Sequence, residues 1–215
     1  MTMKMYDSPL SPYAARVRIA LYAKNLDVER IQPADRVAGE LEAASPLAKL
    51  PTFVHDGNVV PESEVINEYL EDIGTLPSLR PRDPLICARM RVLARICDLY
   101  IMYPMGELFG QISPVGRDQS IVDTQMAELH EAMGWLDSYL DGSPYAVGQQ
   151  LSLADCALAP VLFFFEQIGP MFGNATPLKA YPDTQAYFVG IQKDPHVGRV
   201  LAEVDATLRK MMAGG

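Results

Sequence analysis

The sequence has few cysteines and histidines, and their spacing matches none of the common metal or disulfide motifs. Three cysteines (Cys87, Cys97 and Cys156) and three histidines lie scattered along 215 residues. An odd number of cysteines without a CxxC pair is typical of free thiols in a reducing compartment. We therefore expect a cytoplasmic protein without a metal site.

Positive charge and long apolar runs are scarce as well. The chain has 18 Lys and Arg against 27 Asp and Glu, a formal net charge of −9 at pH 7. Binding to nucleic acid or to an anionic membrane surface needs a basic face, which this balance does not supply. The sequence has no run of 18 apolar residues, and its first ten residues lack the apolar stretch of a signal peptide. We expect neither a nucleic-acid nor a membrane partner.

The sequence has enough hydrophobic residues to form a core, since they make up 49% of the chain. In the first third of the chain, short apolar runs alternate with helical patterns. The runs predict strands over 4–6, 28–31, 52–55 and 58–60, and helices over 13–24 and 62–72. Together they predict a small α/β unit of order βαβαββα.

The segment 74–84 contains three prolines, which exclude a continuous helix there. Beyond it only helical patterns follow, and the chain therefore divides into an α/β domain over 1–75, a linker over 76–84 and an all-helical domain over 85–215. Within the last domain, Ser152 and Asp155 have the spacing of a capping box before the most apolar helix. We interpret that pair as structural.

Ser11-Pro12 precedes the first predicted helix and allows two interpretations. A serine at the N-cap followed by proline is common at the start of a helix. The same hydroxyl lies at the positive end of the helix dipole, where it can donate to an anion such as a ligand thiolate.

Further along, a second group of residues could hold a small charged ligand. Leu50-Pro51 comes just before the third strand, and a cis bond there would leave the Leu50 backbone free to pair with an extended ligand. Glu62 and Ser63 open a helix, where they act as helix-start residues or receive the ammonium and carboxylate of an amino-acid head group. Lys49 is either a solvated lysine or a partner for a second carboxylate.

Together these segments resemble the cytosolic glutathione transferase family. The resemblance covers residues 11–21, 45–72, 80–91 and 152–160 in the family's order and spacing. It implies a thioredoxin-like N-terminal domain, an all-α C-terminal bundle and a homodimer. It also implies that glutathione, the co-substrate, is bound by Lys49, Leu50, Pro51, Glu62 and Ser63.

The same resemblance implies which residue activates the glutathione thiol. Serine-type and cysteine-type members keep it just before the first helix, and Ser11 stands there in this chain. Tyr6 is the second choice, since tyrosine-type members keep a phenol near the end of the first strand. Ser8 is the third, because Ser8-Pro9 duplicates Ser11-Pro12. Without a cysteine at that position, thiol-disulfide reductase activity is not expected.

The resulting expectation is a transferase that attacks a small electrophile with the glutathione thiolate and needs no metal. The electrophile pocket would use aromatic residues, namely Tyr13, Tyr100, Tyr103 and Phe109. In the dimer, Arg89 and Arg91 would meet Glu68 or Glu71 of the second subunit. Two alternatives remain open: a non-catalytic regulator on the same fold, similar to the bacterial starvation proteins, and a zeta-like isomerase using Arg16 or Arg18 to bind an anionic substrate.

Overall fold

A computed structural model describes residues 2–213 of the chain. Backbone contacts divide the chain into two compact units. The first contains the residues up to Leu79 together with those from Asp194 onwards, and the second is Arg80–Lys193. The first unit carries the β-sheet, and the described part of the second is helical, as the sequence predicts.

The first unit is a mixed four-stranded sheet with strand order β2-β1-β3-β4. Strand β1 pairs parallel to β2 and antiparallel to β3, and β3 pairs antiparallel to β4. Its elements follow the predicted βαβαββα order to within one residue at most ends: β1 (Met3–Tyr6), α1 (Pro12–Ala23), β2 (Glu29–Ile31), α2 (Glu40–Ala44), β3 (Thr52–His55), β4 (Asn58–Pro61) and α3 (Ser63–Asp72).

Helix α9 (Pro195–Ala213) also belongs to the first unit. The sequence assigns it to a helical domain over 85–215, and the contacts group it instead with the α/β part. Its buried residues recur at helical spacing, at Val197, Val200, Leu201 and Val204. This stripe covers α1, whose own residues are buried on nearly every side.

The first residues of the linker are tied to the first unit by a buried lysine. Lys24, which follows α1, is 4% exposed. Its ammonium donates to the Thr75 and Pro77 carbonyls at 3.0 and 2.9 Å and lies 2.6 Å from a Glu71 carboxylate oxygen. Three acceptors match the three N–H groups of the ammonium, so that burial leaves none unpaired.

The regular elements in the described residues of the second unit are all helices, joined by loops. Its α-helices are α4 (Pro84–Ile96), α5 (Met102–Phe109), α6 (Gln119–Tyr139), α7 (Leu153–Ile168) and α8 (Pro182–Ile191). A π-helical segment, Cys97–Ile101, joins α4 to α5. The sequence predicts one helix interrupted at Pro104, and the irregular turn lies just before it. Proline cannot donate to the carbonyl four residues earlier, and the wider π turn accommodates that missing bond.

Helix α7 forms the centre of the second unit. The segment Leu153–Phe172 is long and apolar enough to cross a membrane by composition, but 78% of it is buried inside the protein. Asp155 at its start is fully buried and accepts from the Ser152 amide and hydroxyl, the Ala146 amide and the Tyr187 hydroxyl. The pair Ser152–Asp155 therefore acts as a structural cap.

Candidate functional site

The strand register brings three of the predicted segments to one end of the sheet. Tyr6, the last residue of β1, pairs with Thr52, the first of β3, and Thr52 pairs with Pro61, the last of β4. The sheet therefore has one end at which three segments meet: the one after β1, the one before β3 and the one after β4. These segments carry Ser11, Leu50-Pro51 and Glu62-Ser63.

Ser11 caps helix α1. Its backbone is extended and its hydroxyl oxygen accepts from the Ala14 amide at 3.2 Å. The Ser11 amide in turn donates to the Ser8 carbonyl at 3.1 Å, which closes a tight turn. Because the oxygen accepts from the helix, the hydroxyl proton is left to donate. Capping and donation to an anion are therefore compatible in one side chain.

Helix α3 begins without a side-chain cap. Glu62 precedes it with φ of +68°, an uncommon value for a residue with a side chain, and makes no capping hydrogen bond. Ser11 caps α1, Asp83 caps α4 and Asp118 caps α6, whereas α2, α5 and α8 share with α3 the lack of a capping bond from the N-cap residue. The Ser63 and Val65 amides in the first turn of α3 have no partner among the described residues, and the helix dipole favours an anion there.

Ser63 and Glu62 provide side chains beside these open amides. Ser63 is 6% exposed, and its hydroxyl makes no hydrogen bond to the described residues. Glu62 is exposed, with no cation paired to it in the described part of the chain. The helix start can bind a carboxylate, and Glu62 can bind an ammonium. An α-amino acid carries both groups.

The segment before β3 has the predicted backbone. The Leu50-Pro51 peptide bond is cis, as the sequence allows. In residues 2–213 neither the N–H nor the C=O of Leu50 has a hydrogen-bond partner. Lys49 is exposed, and its carbonyl accepts from the Thr52 hydroxyl at 2.7 Å. The site therefore offers a free backbone pair and a solvated cation.

Tyr6, the second choice for the thiol activator, already uses its hydroxyl proton. Tyr6 is 2% exposed, packs with Leu41 and Val54, and donates its hydroxyl to Glu40 at 2.7 Å. Burial, reinforced by the Glu40 carboxylate, raises the pKa of Tyr6 to about 12. A phenol already donating to a carboxylate has no second proton for a thiolate.

The aromatic residues predicted for the electrophile pocket have different neighbours within their own units. Tyr100 lies on the π segment and packs edge-on against Trp135, with ring centroids 5.2 Å apart. Phe109 instead packs against Phe164 of α7 at 5.9 Å, and Tyr103 is 63% exposed. Tyr13, at the start of α1, lies against Arg16.

An apolar groove in the second unit was not predicted from the sequence. It has a volume of about 730 Å3 and lies between α4, the π segment and α6, with walls that include Tyr100, Trp135, Tyr139, Arg91 and Arg95. The signal that could have found it is the single tryptophan of the chain, 41% exposed on an otherwise amphipathic helix.

Neither arginine suggested for an anionic substrate is available. Arg16 and Arg18 are 1% and 2% exposed. Arg16 donates to Glu64 at 3.3 Å, and Arg18 donates to the Pro9 carbonyl at 3.0 Å. Both guanidinium groups are therefore used inside the first unit.

Comparison with known proteins identifies the family of the chain. The model of the glutathione S-transferase N-terminal domain matches residues 5–80, and that of the C-terminal domain matches residues 119–189. The chain belongs to the glutathione S-transferase family. A glutathione S-transferase from Pseudomonas putida is 25% identical, across 98% of this chain and 96% of that protein.

Relatives with other names match over shorter segments. A probable maleylacetoacetate isomerase from Caenorhabditis elegans is 33% identical over 69% of this chain and 72% of its own length. A stringent starvation protein A homolog from Coxiella burnetii is 29% identical over 78% of each. The crystal structure of a glutathione S-transferase from Methylobacterium radiotolerans, in complex with glutathione sulfonate, shares the fold with a TM-score of 0.80 at 23% identity, covering 94% of this chain and 95% of that one.

We predict that Ser63→Ala weakens glutathione binding about 10- to 150-fold. The variant removes a hydrogen bond to the γ-glutamyl carboxylate, which contributes about 1.5–3 kcal/mol when the acceptor is charged. Titration calorimetry measures the affinity. Ser120→Ala, a serine in the first turn of α6, is the control. Unchanged affinity with a lower melting temperature would restrict Ser63 to a structural role.

Proposed function

We propose that this protein is a glutathione transferase that activates the glutathione thiol with Ser11 and directs it at a small electrophile. The proposal rests on one observation. Three candidate ligand-binding segments leave the sheet at the same end, and α3 begins there without a side-chain cap. Membership of the family supports glutathione as the co-substrate.

Each end of glutathione has a matching group in the first unit. Glu62, Ser63 and the open amides of α3 would hold the γ-glutamyl head through its ammonium and carboxylate. The Leu50 backbone, freed beside the cis bond to Pro51, would pair with the cysteinyl part as an added strand does. Lys49 would meet the glycyl carboxylate.

The chemistry needs a thiolate, because the protonated thiol is a poor nucleophile. With a pKa of about 8.5, a free thiol is mostly protonated at neutral pH. The Ser11 hydroxyl would donate to the sulfur at the positive end of α1 and stabilise its charged form, while the proton leaves to solvent. The thiolate then attacks the electrophile, forms a carbon–sulfur bond and expels a leaving group or adds to a double bond.

A second candidate is glutathione-dependent isomerisation, which also begins with thiolate attack. Among the relatives named above, the isomerase from Caenorhabditis elegans has the highest identity. The burial of Arg16 and Arg18 weighs against this candidate, since neither can bind an anionic substrate without leaving its present partners. A regulator without catalysis is disfavoured because Ser11, Lys49, Glu62 and Ser63 are all retained.

We also propose a cytoplasmic homodimer. The three cysteines are free and buried, which fits a reducing compartment. The sequence suggests ion pairs between the subunits that involve Arg89 and Glu71. Both residues already have partners in their own chain, since Arg89 lies 2.9 Å from Asp141 and Glu71 pairs with Lys24. The groove beside Tyr100 and Trp135 offers an apolar surface for the second subunit instead.

We predict that Ser11→Ala lowers turnover at pH 7 about 10- to 100-fold and changes glutathione affinity little. The loss of a charge-assisted hydrogen bond raises the thiol pKa by roughly one to two units. Raising the pH should partly restore turnover, because more thiolate then forms without the hydroxyl. Steady-state kinetics with an aryl halide between pH 6 and 9 measure the turnover of both proteins.

The control for the lost cap is Asp83→Ala, which removes the cap of α4. Both variants should lose about 1 kcal/mol of stability, and only Ser11→Ala should lose turnover. Equal turnover in the two variants would contradict the role of Ser11. If Tyr6→Phe alone lowers turnover, the phenol is the activator.

We predict a dimer in solution, with a mass about twice the 23.7 kDa of one chain. Light scattering at micromolar concentration measures the mass. Trp135→Glu places a charge in the groove and should shift the protein towards the monomer, and Met211→Glu, on the exposed end of α9, is the control. A monomeric wild-type protein would contradict the prediction.

A further inference from the structure

Asp7, Arg18, Arg30 and Glu203 form a cluster of charged side chains in the first unit, and Arg199 lies 3.4 Å from Glu203 on the same helix. Asp7, directly after β1, is fully buried, and neither of its carboxylate oxygens accepts a hydrogen bond from the described residues. One of these oxygens lies 3.8 Å from Arg18 of α1 and 3.8 Å from Arg30 of β2. The two arginines are therefore held to Asp7 by charge alone.

The fourth member comes from the far end of the sequence. Glu203 of α9 lies 3.3 Å from Arg30 and 3.8 Å from Arg18, measured between charged atoms. It also accepts from the Tyr22 hydroxyl at 2.7 Å. Burial works against its charge, but the Tyr22 hydroxyl and Arg30 lower the pKa of the Glu203 carboxyl. Glu203 is therefore the charged partner that balances the second arginine.

Arg18 connects this cluster to the turn that carries Ser11. Its second terminal nitrogen, Nη2, donates to the Pro9 carbonyl at 3.0 Å. Pro9 lies inside the turn that the Ser11 amide closes on the Ser8 carbonyl. One terminal nitrogen of Arg18 thus lies 3.8 Å from both Asp7 and Glu203, and the other donates to Pro9. Any change in the position of this guanidinium moves the backbone two residues before Ser11.

We propose that Glu203 is a positioning residue for thiol activation. It holds Arg18 on the Pro9 carbonyl and thereby fixes the Ser8–Ser11 turn and the place of the Ser11 hydroxyl. Without Glu203, Arg18 and Arg30 share the single carboxylate of Asp7 among the contacts of the described residues. Arg18 then turns towards Asp7 or solvent and releases Pro9. The proposal rests on the proposed function for its effect on turnover, but not for its effect on the turn.

The test uses Glu203→Gln, because Glu203 is 29% exposed on its side chain and its loss is less costly to folding than that of buried Asp7. The control is Asp205→Asn on the same helix, whose carboxylate pairs only with Arg209 at 2.8 Å in the described chain. Amide hydrogen exchange of the segment 8–14 is measured first. In Glu203→Gln we expect exchange there to be at least about tenfold faster, with no change in Asp205→Asn.

Turnover then separates positioning from general destabilisation. Glu203→Gln should lower kcat about tenfold at neutral pH with little change in the glutathione KM, since small displacements of a reacting group are costly. In the Ser11→Ala background the same substitution should change kcat less than about twofold, because it acts through Ser11. An equal loss in both backgrounds would overturn the proposal.

The outcomes distinguish this proposal from the proposed function. If exchange over 8–14 is unchanged in Glu203→Gln, the positioning role is wrong, whatever the turnover. If exchange rises as expected but the wild-type protein shows no glutathione-dependent turnover, the transferase function fails and the link between α9 and the turn stands.

Discussion

The first unit depends on how the N–H groups at the starts of its helices are paired. An α-helix leaves its first four amides without partners, and each needs an acceptor. Ser11 supplies one for α1 and keeps its own proton for a ligand. The start of α3 has no such acceptor, and Glu62 adopts a positive φ there. One helix start is prepared to stabilise a thiolate, and the other is open to a carboxylate.

The strand register converts these local features into a site. Because Tyr6, Thr52 and Pro61 align across three strands, both helix starts and the cis peptide bond emerge at one edge. Buried charges beneath that edge hold its backbone in place, with Arg18 on the Pro9 carbonyl. In the proposed function, binding, activation and positioning use different residues of a single small unit.

The fold was predictable because its elements follow short-range patterns, and the same patterns indicate the segments proposed for the site. Asp56-Gly57 marks a hairpin, and Ser11-Pro12 marks a helix start. The position of α9 was not predictable. Its apolar stripe indicates that the helix packs against another element but does not identify that element. The same holds for Arg18, which the sequence presents as a free cation and the fold buries beside Asp7. Such partners are distant in sequence, and only the tertiary structure brings them together.

The central claim is that this protein binds glutathione and lowers the pKa of its thiol. The most direct measurement is the ultraviolet absorbance of the thiolate in the complex of the wild-type protein with glutathione, titrated from pH 5 to 10. The account predicts a thiol pKa roughly one to two units below the value of about 8.5 for a free thiol. A titration that matches free glutathione at saturating occupancy would contradict it.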